Sequence, residues 1–280
     1  MHGFDDGSAS RRAGWLSLPG FALLLPFFAA PVLLLLVSSL QSGPNGAAVW
    51  SLAHYREILS SSYYLAAFGR TLGLGLGIMV ASAALGLPLA YFMVRNPRWQ
   101  TPLLAALAGP LFVNVVARLY GWQLLLADSG PVNAGLEAII PGFEAIRFSG
   151  SLLGVCIVML HVMLPYMVFA LFNSMQGIDP AIWDAAETLG ANALDSFLKV
   201  ALPLSVPGLV TGAILVFTLA ASSFVVPAVM GGGKVNTFPT LVYLEAMALN
   251  FSTAAAIAVC LLVVLLPLGR LSAIVREGGR

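Results

Sequence analysis

Charge is what this 280-residue chain lacks: only 9% of its residues are Asp, Glu, Lys or Arg, against roughly 25% in an average soluble domain. With 59% hydrophobic residues and a mean hydropathy of +0.94, it is neither an ordinary soluble enzyme nor a disordered chain. A basic excess is missing too. Thirteen Lys and Arg against twelve Asp and Glu leave a net charge of +1, so nucleic acid finds no electrostatic footprint. Cysteine is scarce. Cys156 and Cys260 each sit in an apolar run, form no disulfide framework, and read as small buried apolar residues. What these absences leave is an integral membrane protein.

The apolar residues are grouped. A membrane helix needs about 20 mostly apolar residues to cross a hydrocarbon core of ~30 Å. Six stretches qualify: Pro19–Leu40, Thr71–Val94, Thr101–Ala117, Ser149–Phe172, Pro207–Val229 and Thr253–Gly269, none containing Asp, Glu, Lys or Arg. The third and sixth are short and are expected to extend a few residues further. Arg11 and Arg12 precede the first run as in a signal peptide, but its 22 residues exceed the ~7–15 of a cleavable apolar region, so an uncleaved first helix is expected. With the N-terminus inside, the inner side holds Arg11, Arg12, Arg95, Arg98, Lys199, Arg270, Arg276 and Arg280, and the outer side Arg56, Arg70, Arg118, Arg147 and Lys234. Eight against five puts both termini in the cytoplasm. The expected division is a tail at 1–18, a first transmembrane helix at 19–40, an outer segment at 41–66, a core at 67–272 and a tail at 273–280.

The loops differ in character. Gln41–Arg70 carries Leu52, Tyr55, Ile58 and Leu59 at helical spacing, with Ser51 placed to cap a surface helix through Ser62. Gly121–Phe148, rich in Gly, Pro and Asn, reads as irregular with one short helix. Gly231–Asn250 opens on three glycines and contains Glu245, read as a solvated charge. The inner loop Asn173–Val206 has the clearest punctuation. Asp179-Pro180 is an N-cap followed by Pro at the first helical position. The helix Pro180–Leu189 puts Ile182, Ala185, Ala186 and Leu189 on one side and Asp184 and Glu187 largely on the other. Gly190 stops it. Asn192 caps a second helix with Leu194, Phe197, Leu198 and Ala201 in a stripe, and Pro203 and Pro207 break the chain before the fifth span. A docking knob and an amphipathic loop lying on lipid both fit this pattern.

Several motifs resemble chemistry without supplying it. Gly231-Gly232-Gly233-Lys234 fails as a phosphate loop, because Ala228 stands where Gly is needed and Val235 where Ser or Thr is needed. Gly69, Gly73 and Gly77, four apart, read as a helix-packing face. His161 is the one readily ionisable side chain well inside a span; helix packing through a hydrogen bond and a pathway-lining role both fit it. No Ser/His/Asp or Cys/His set can be assembled, so this chain is not expected to be an enzyme. Cation-coupled carriers use intramembrane carboxylates, His relays or broken helices. Uncharged spans therefore count against a secondary carrier and point to energy from another subunit, which must grip a cytoplasmic feature. The knob at 173–206 is the candidate; a membrane scaffold is the other rival.

That knob resembles the signature loop of permease subunits of binding-protein-dependent ABC importers. The family pattern is Glu-Ala-Ala, three residues, Gly, nine residues, Ile, one residue, Leu-Pro. Here Asp184-Ala185-Ala186, Gly190, Val200 and Leu202-Pro203 keep every spacing. The likeness covers about residues 50–272. Arg118-Leu119-Tyr120-Gly121-Trp122, Gly130-Pro131-Val132-Asn133 and Phe224 through Gly232 are similar to the spermidine/putrescine-type subgroup, in its first of two paired permeases. The resemblance implies an all-α membrane protein with the MetI-like (type I) fold of six transmembrane helices in the bacterial inner membrane. It also implies that Asp184, Ala185, Ala186, Gly190, Leu202 and Pro203 form a coupling helix and lever docked on an ATPase. Expected partners are an ABC ATPase dimer, a second homologous permease and a periplasmic solute-binding protein. ATP and Mg are used by the ATPase, and this chain binds no cofactor.

The subgroup often carries an acid just before the Phe, where this chain has Ser222-Ser223. Opine, amino-acid-like and phosphonate solutes therefore stand beside polyamines. Candidate pathway residues are Ser222, Ser223, Phe224 and Pro227 on the fifth span, with His161 and Tyr166 on the fourth. The serine hydroxyls either bond back to the preceding turn or, with a Ser223 carbonyl freed by Pro227, face the solute.

Overall fold

A computed structural model describes residues 6–42, 49–140 and 142–278, with the described side chains lying between Ala22 and Pro267. The charges at Arg11, Arg12, Arg270, Arg276 and Arg280 and the extreme tails lie outside what is described. Every regular element among the described residues is helical. The chain runs α1 (Asp6–Ser39), α2 (Ala53–Ser60), α3 (Ser62–Arg95), α4 (Pro97–Phe112), α5 (Val115–Leu125), α6 (Pro131–Ile139) and α7 (Leu152–Gln176). There follow α8 (Pro180–Thr188), α9 (Ala193–Ser196), a π-helical turn at Phe197–Ala201, α10 (Leu202–Leu204), α11 (Val206–Ala221), α12 (Val225–Met230), α13 (Phe238–Met247) and α14 (Phe251–Gly278).

The helix α7 is the centre of the bundle. Val155, Met159, Met167, Val168, Leu171 and Met175 are fully buried, packed by α3 on one side and α11 on the other. Lipid tails are as apolar as these side chains, so close packing rather than exclusion from water holds such helices together. Long, unbranched Met fills irregular gaps between them. A second, smaller cluster ties α2 and the N-terminal part of α3 to α13 and α14 through Ile58, Tyr64, Phe238, Leu241 and Ile257.

Two helices, α3 and α7, are long and apolar enough to cross a bilayer. The shorter apolar stretches Leu24–Ser39 and Phe251–Pro267 lie within α1 and α14. The third run, expected over Thr101–Ala117, is not one unbroken helix: α4 stops at Phe112 and α5 leaves at 104°. At 1.5 Å per residue α4 is about 24 Å long, short of the ~30 Å core. The break is chemically closed on both sides. Asn114 Oδ1 accepts from Val116 N at 2.9 Å, capping α5, and Arg118 Nη1 donates to the Pro110 carbonyl at 2.6 Å, capping the end of α4.

The fifth run, Pro207–Val229, is also interrupted. Helix α11 ends at Ala221, and Ser222–Phe224 separate it from α12. Downstream, Gly231–Asn250 contains the unforeseen helix α13, opened by a reciprocal Thr237–Thr240 cap.

Within this chain the expected glycine face meets no other helix. A Cβ added at Gly69, Gly73 or Gly77 would meet nothing within 4 Å. On α3 the tight glycines are instead Gly75, where a Cβ would lie 3.0 Å from Phe217, and Gly86, where one would lie 3.1 Å from Met167; on α11 a Cβ at Gly208 would lie 2.3 Å from Ser174 Cβ and one at Gly212 would lie 2.8 Å from Met167 Sδ. Gly208 and Gly212, four apart, thus let α11 approach α7 closely.

Candidate functional site

The inner loop forms as its punctuation dictates. Asp179 accepts from Ala181 N at 2.9 Å, Pro180 opens α8, and Gly190 takes φ +81°, a left-handed turn that side chains resist. Asn192 accepts from Asp195 N at 2.9 Å to start α9. The second helix does not run straight to Pro203. It loosens into the π-helical turn Phe197–Ala201, in which Leu202 N reaches back to the Phe197 carbonyl. A proline ring crowds the carbonyl four residues before it, here that of Lys199, which lies within this wider turn. The chain then bends by 68° into α11.

Helix α8 has two faces with different fates. Trp183 and Glu187, four apart, point at the bundle, and Trp183 is buried. Ile182 and Leu189 point away, 41% and 88% exposed, with exposed Ala185 between them. Asp184 and Gly190 are exposed too. Leu194 and Leu198 of the following turns are likewise exposed, whereas Ala201 is buried and Leu202 half-buried. Lys199 sits 2.5 Å from Asp195, and its hydrogen bond and charge hold that carboxyl below the ordinary carboxylate range.

The pathway candidates are not gathered into one place. Ser222 Oγ donates to the Thr218 carbonyl at 2.7 Å, so this hydroxyl bonds back to its own helix. The Ser223 hydroxyl makes no hydrogen bond among the described residues. Phe224 lies 4.8 Å, centroid to centroid, from Tyr243 of α13. Ser222, Phe224 and Tyr243 line an apolar groove of about 600 Å³ whose opposite wall is Ala258, Leu261 and Leu265 of α14. Pro227 is buried within α12. His161 lies elsewhere, its ring edge-on to Trp122 at 5.2 Å. It packs by ring contact, where a hydrogen bond was expected. Tyr166 is half-buried in the packing around α7. Glu245 is not a free solvated charge: Tyr64 Oη donates to one carboxylate oxygen at 2.9 Å and Asn250 Nδ2 to the other at 3.0 Å.

Residues 15–277 match the family described as "Binding-protein-dependent transport system inner membrane component". The chain belongs to that family. It is the permease subunit of an ABC importer. Among its relatives, the spermidine/putrescine transport system permease protein PotB of Escherichia coli (strain K12) is 32% identical over 187 residues, 66% of this chain and 68% of the relative. The sulfate transport system permease protein CysT of the same organism is 29% identical over 253 residues, 89% of this chain and 88% of the relative. The fold matches that in the crystal structure of a bacterial alginate ABC transporter in complex with alginate pentasaccharide-bound periplasmic protein. There the TM-score is 0.78 at 17% identity, covering 95% of this chain and 94% of that one.

What the sequence did not reveal is how the permease seats its inner loop. The C-terminal end of α3 receives it. Arg95 pairs with Glu187, and the Arg95 guanidinium lies 5.4 Å over the Trp183 ring. Tyr91 packs 5.3 Å from Phe197 and donates its hydroxyl to the Ala193 carbonyl at 3.1 Å. The one local signal was a bulky Trp on the otherwise acidic side of α8. The partner of Phe224, Tyr243, had no signal, because α13 was not foreseen.

Proposed function

We propose that this permease forms half of the pathway for a polyamine-like solute, paired with a second homologous permease on two cytoplasmic ATPase subunits, and supplied by a periplasmic binding protein. The observation that carries the ATPase docking is the outward face of α8. Ile182, Ala185 and Leu189 expose an apolar stripe beside Gly190, on a helix whose other face is already satisfied within the chain. An amphipathic helix in a groove is a common recognition mode. Asp184, Ala185, Ala186 and Gly190 then form the contact, with Leu202 and Pro203 at the base of the lever. The chain crosses the membrane six times with both tails cytoplasmic. ATP, with Mg, closes the ATPase dimer; the loops move with it and the helices open outward; product release resets them. The permease contributes contacts that differ between two states rather than bond chemistry.

A relative named for spermidine and putrescine supports the solute class. The Phe224–Tyr243 pair beside the unspent Ser223 hydroxyl adds to it, since aromatic faces attract organic cations. His161 and Tyr166 are placed further from this pair and act, on this reading, through helix packing. A zwitterionic, opine-like solute is the second reading, favoured by Ser222-Ser223 in place of an acid. Calorimetric titration of the cognate periplasmic protein with spermidine, putrescine, an opine, amino acids and a phosphonate tests both. Polyamine binding, with polyamine uptake lost when this chain is deleted, is the expected result. Binding of an opine or phosphonate and of no polyamine refutes the solute class. Failure of an ATPase and a second permease to co-purify refutes the assembly.

A further inference from the structure

The inner and outer polar contacts of the permease converge on one helix. At its cytoplasmic end α3 holds the coupling loop through Arg95 with Glu187 and Trp183, and through Tyr91 with Phe197 and the Ala193 carbonyl. This contact is confined. An open cleft of about 540 Å³, bordered by Pro88, Arg95, Glu187 and Ser196, lies between α3 and the loop. The loop's two covalent links are both joints: Gly177 ends α7, and Ser205 sits at the 68° bend into α11.

At its outer end the same helix holds α13. Thr71 Oγ1 accepts from Phe238 N at 2.8 Å, a buried bond. Arg70 Nη1 donates to the Asn236 carbonyl at 2.6 Å, and Tyr64 donates to Glu245. Helix α13 in turn carries Tyr243, whose ring packs tilted against Phe224 at the break between α11 and α12. Helix α3 as a whole is continuous for 34 residues, with Pro88 inside it near the loop, about 50 Å at 1.5 Å per residue.

We propose that Arg95 and Tyr91 are positioning residues that latch the coupling loop to α3, and that α3 carries the loop's displacement to α13 and the Phe224–Tyr243 pair. Packed helices shift as discrete bodies rather than deforming continuously. A helix tied at both ends therefore moves the outer hairpin when its inner end is pushed. The inference rests on the docking reading above, because only a loop held by an ATPase has a motion to pass on. Spatial continuity alone does not establish coupling, so the latch is tested by breaking and remaking it.

The experiment uses the complete complex, with Cys156 and Cys260 replaced by Ser and spin labels on cysteines at Ile139 of α6 and Met247 of α13, both on exposed positions. Electron–electron distance measurements are made without nucleotide and with ATP and vanadate. The unaltered latch is expected to give a nucleotide-dependent shift in the distance between the labels. Arg95→Gln and Glu187→Gln are each expected to abolish that shift while the ATPase still co-purifies at wild-type yield. The exchanged pair Arg95→Glu with Glu187→Arg restores it.

An undiminished shift in both single variants overturns the latch alone. So does loss of the ATPase from Arg95→Gln, since the pair then serves docking rather than transmission. If Arg95→Gln fails to insert, the exchanged pair decides: insertion without a shift also overturns the proposal. Absence of a bound ATPase in the wild type, or of any shift there, removes the docking reading and the latch with it.

Discussion

Replacing Gly190 separates what the turn needs from what a partner needs. Gly190 has φ +81°, and a Cβ built there meets no atom within 4 Å. Within this chain the cost of a side chain is therefore backbone alone, about 1–2 kcal/mol for an ordinary L-residue in the left-handed region. Asn and Asp, which bond locally and visit that region more readily, lose less. The turn keeps its other supports, Gly190 N to the Glu187 carbonyl at 2.9 Å and Ala191 N to the Ala186 carbonyl at 3.0 Å. Taken by itself, the turn ranks Asn and Asp above Ala, with Ala lowering the native turn's population about 5–30-fold. Docking reverses the order. Gly190 is exposed beside the apolar Leu189, so Asp places a carboxylate against a partner's groove and loses hydration there. We expect Gly190→Asp to retain the least ATPase, Gly190→Ala an intermediate amount, and the folded yield of Gly190→Asp to equal or exceed that of Gly190→Ala. The assay is recovery of the ATPase on tagged permease, normalised to the monodisperse fraction in size-exclusion chromatography. Wild-type ATPase recovery with Gly190→Asp refutes the docking role and leaves Gly190 a turn residue.

Three further outcomes follow from the geometry. Trp183→Ala removes a ring that is 6% exposed and is expected to cost about 3–5 kcal/mol, seen as faster amide exchange across 180–190; unchanged exchange would show that α8 is seated by other contacts. Ser222→Ala is expected to leave uptake rates unchanged, because its hydroxyl is bonded to the Thr218 carbonyl, whereas Ser223→Ala lowers the initial rate or alters solute preference; equal rates for the two return both serines to helix packing. Cysteine at Asn96 is expected to label from the cytoplasm and cysteine at Lys234 from the periplasm, position 234 being chosen because Gly233 has φ +74°. Labelling of both from one side contradicts the topology.

The inner loop was legible because its signals are local and strong. Asp179-Pro180, Gly190 and Asn192 each act on a backbone within three residues, and α8 ends within one residue of its expected limit. The breaks in the spans were illegible for the converse reason. In an apolar run, Asn114 looks like an isolated polar residue, and only the arrival of Arg118 at the Pro110 carbonyl makes it a cap. Helix α13 escaped notice because its N-terminal partner is Thr240, where Glu or Gln is the usual signal. The glycines show how spacing misleads: Gly69, Gly73 and Gly77 repeat as regularly as Gly208 and Gly212, yet only the second set faces a neighbouring helix in this chain. Periodicity defines a face; it does not say what the face meets.

The contacts that matter most to the proposed transmission were beyond any local pattern. Arg95 and Glu187 are 92 residues apart, Thr71 and Phe238 are 167, and Tyr64 and Glu245 are 181. Their placement nonetheless follows from the shortage of charge with which the chain begins. With no acidic or basic residue available inside the apolar runs, ionic and charge-assisted contacts gather at the helix ends, where the chain meets water. The ion pair at Arg95 is partly exposed, and such pairs alone contribute roughly 0–1 kcal/mol. Its strength as a joint comes instead from the buried Trp183 beneath it and the Tyr91–Phe197 contact beside it. A charge-free helix bundle thus leaves two places where one helix can be gripped firmly without gripping all of them. In α3 one of these lies at the 173–206 loop and the other at α13.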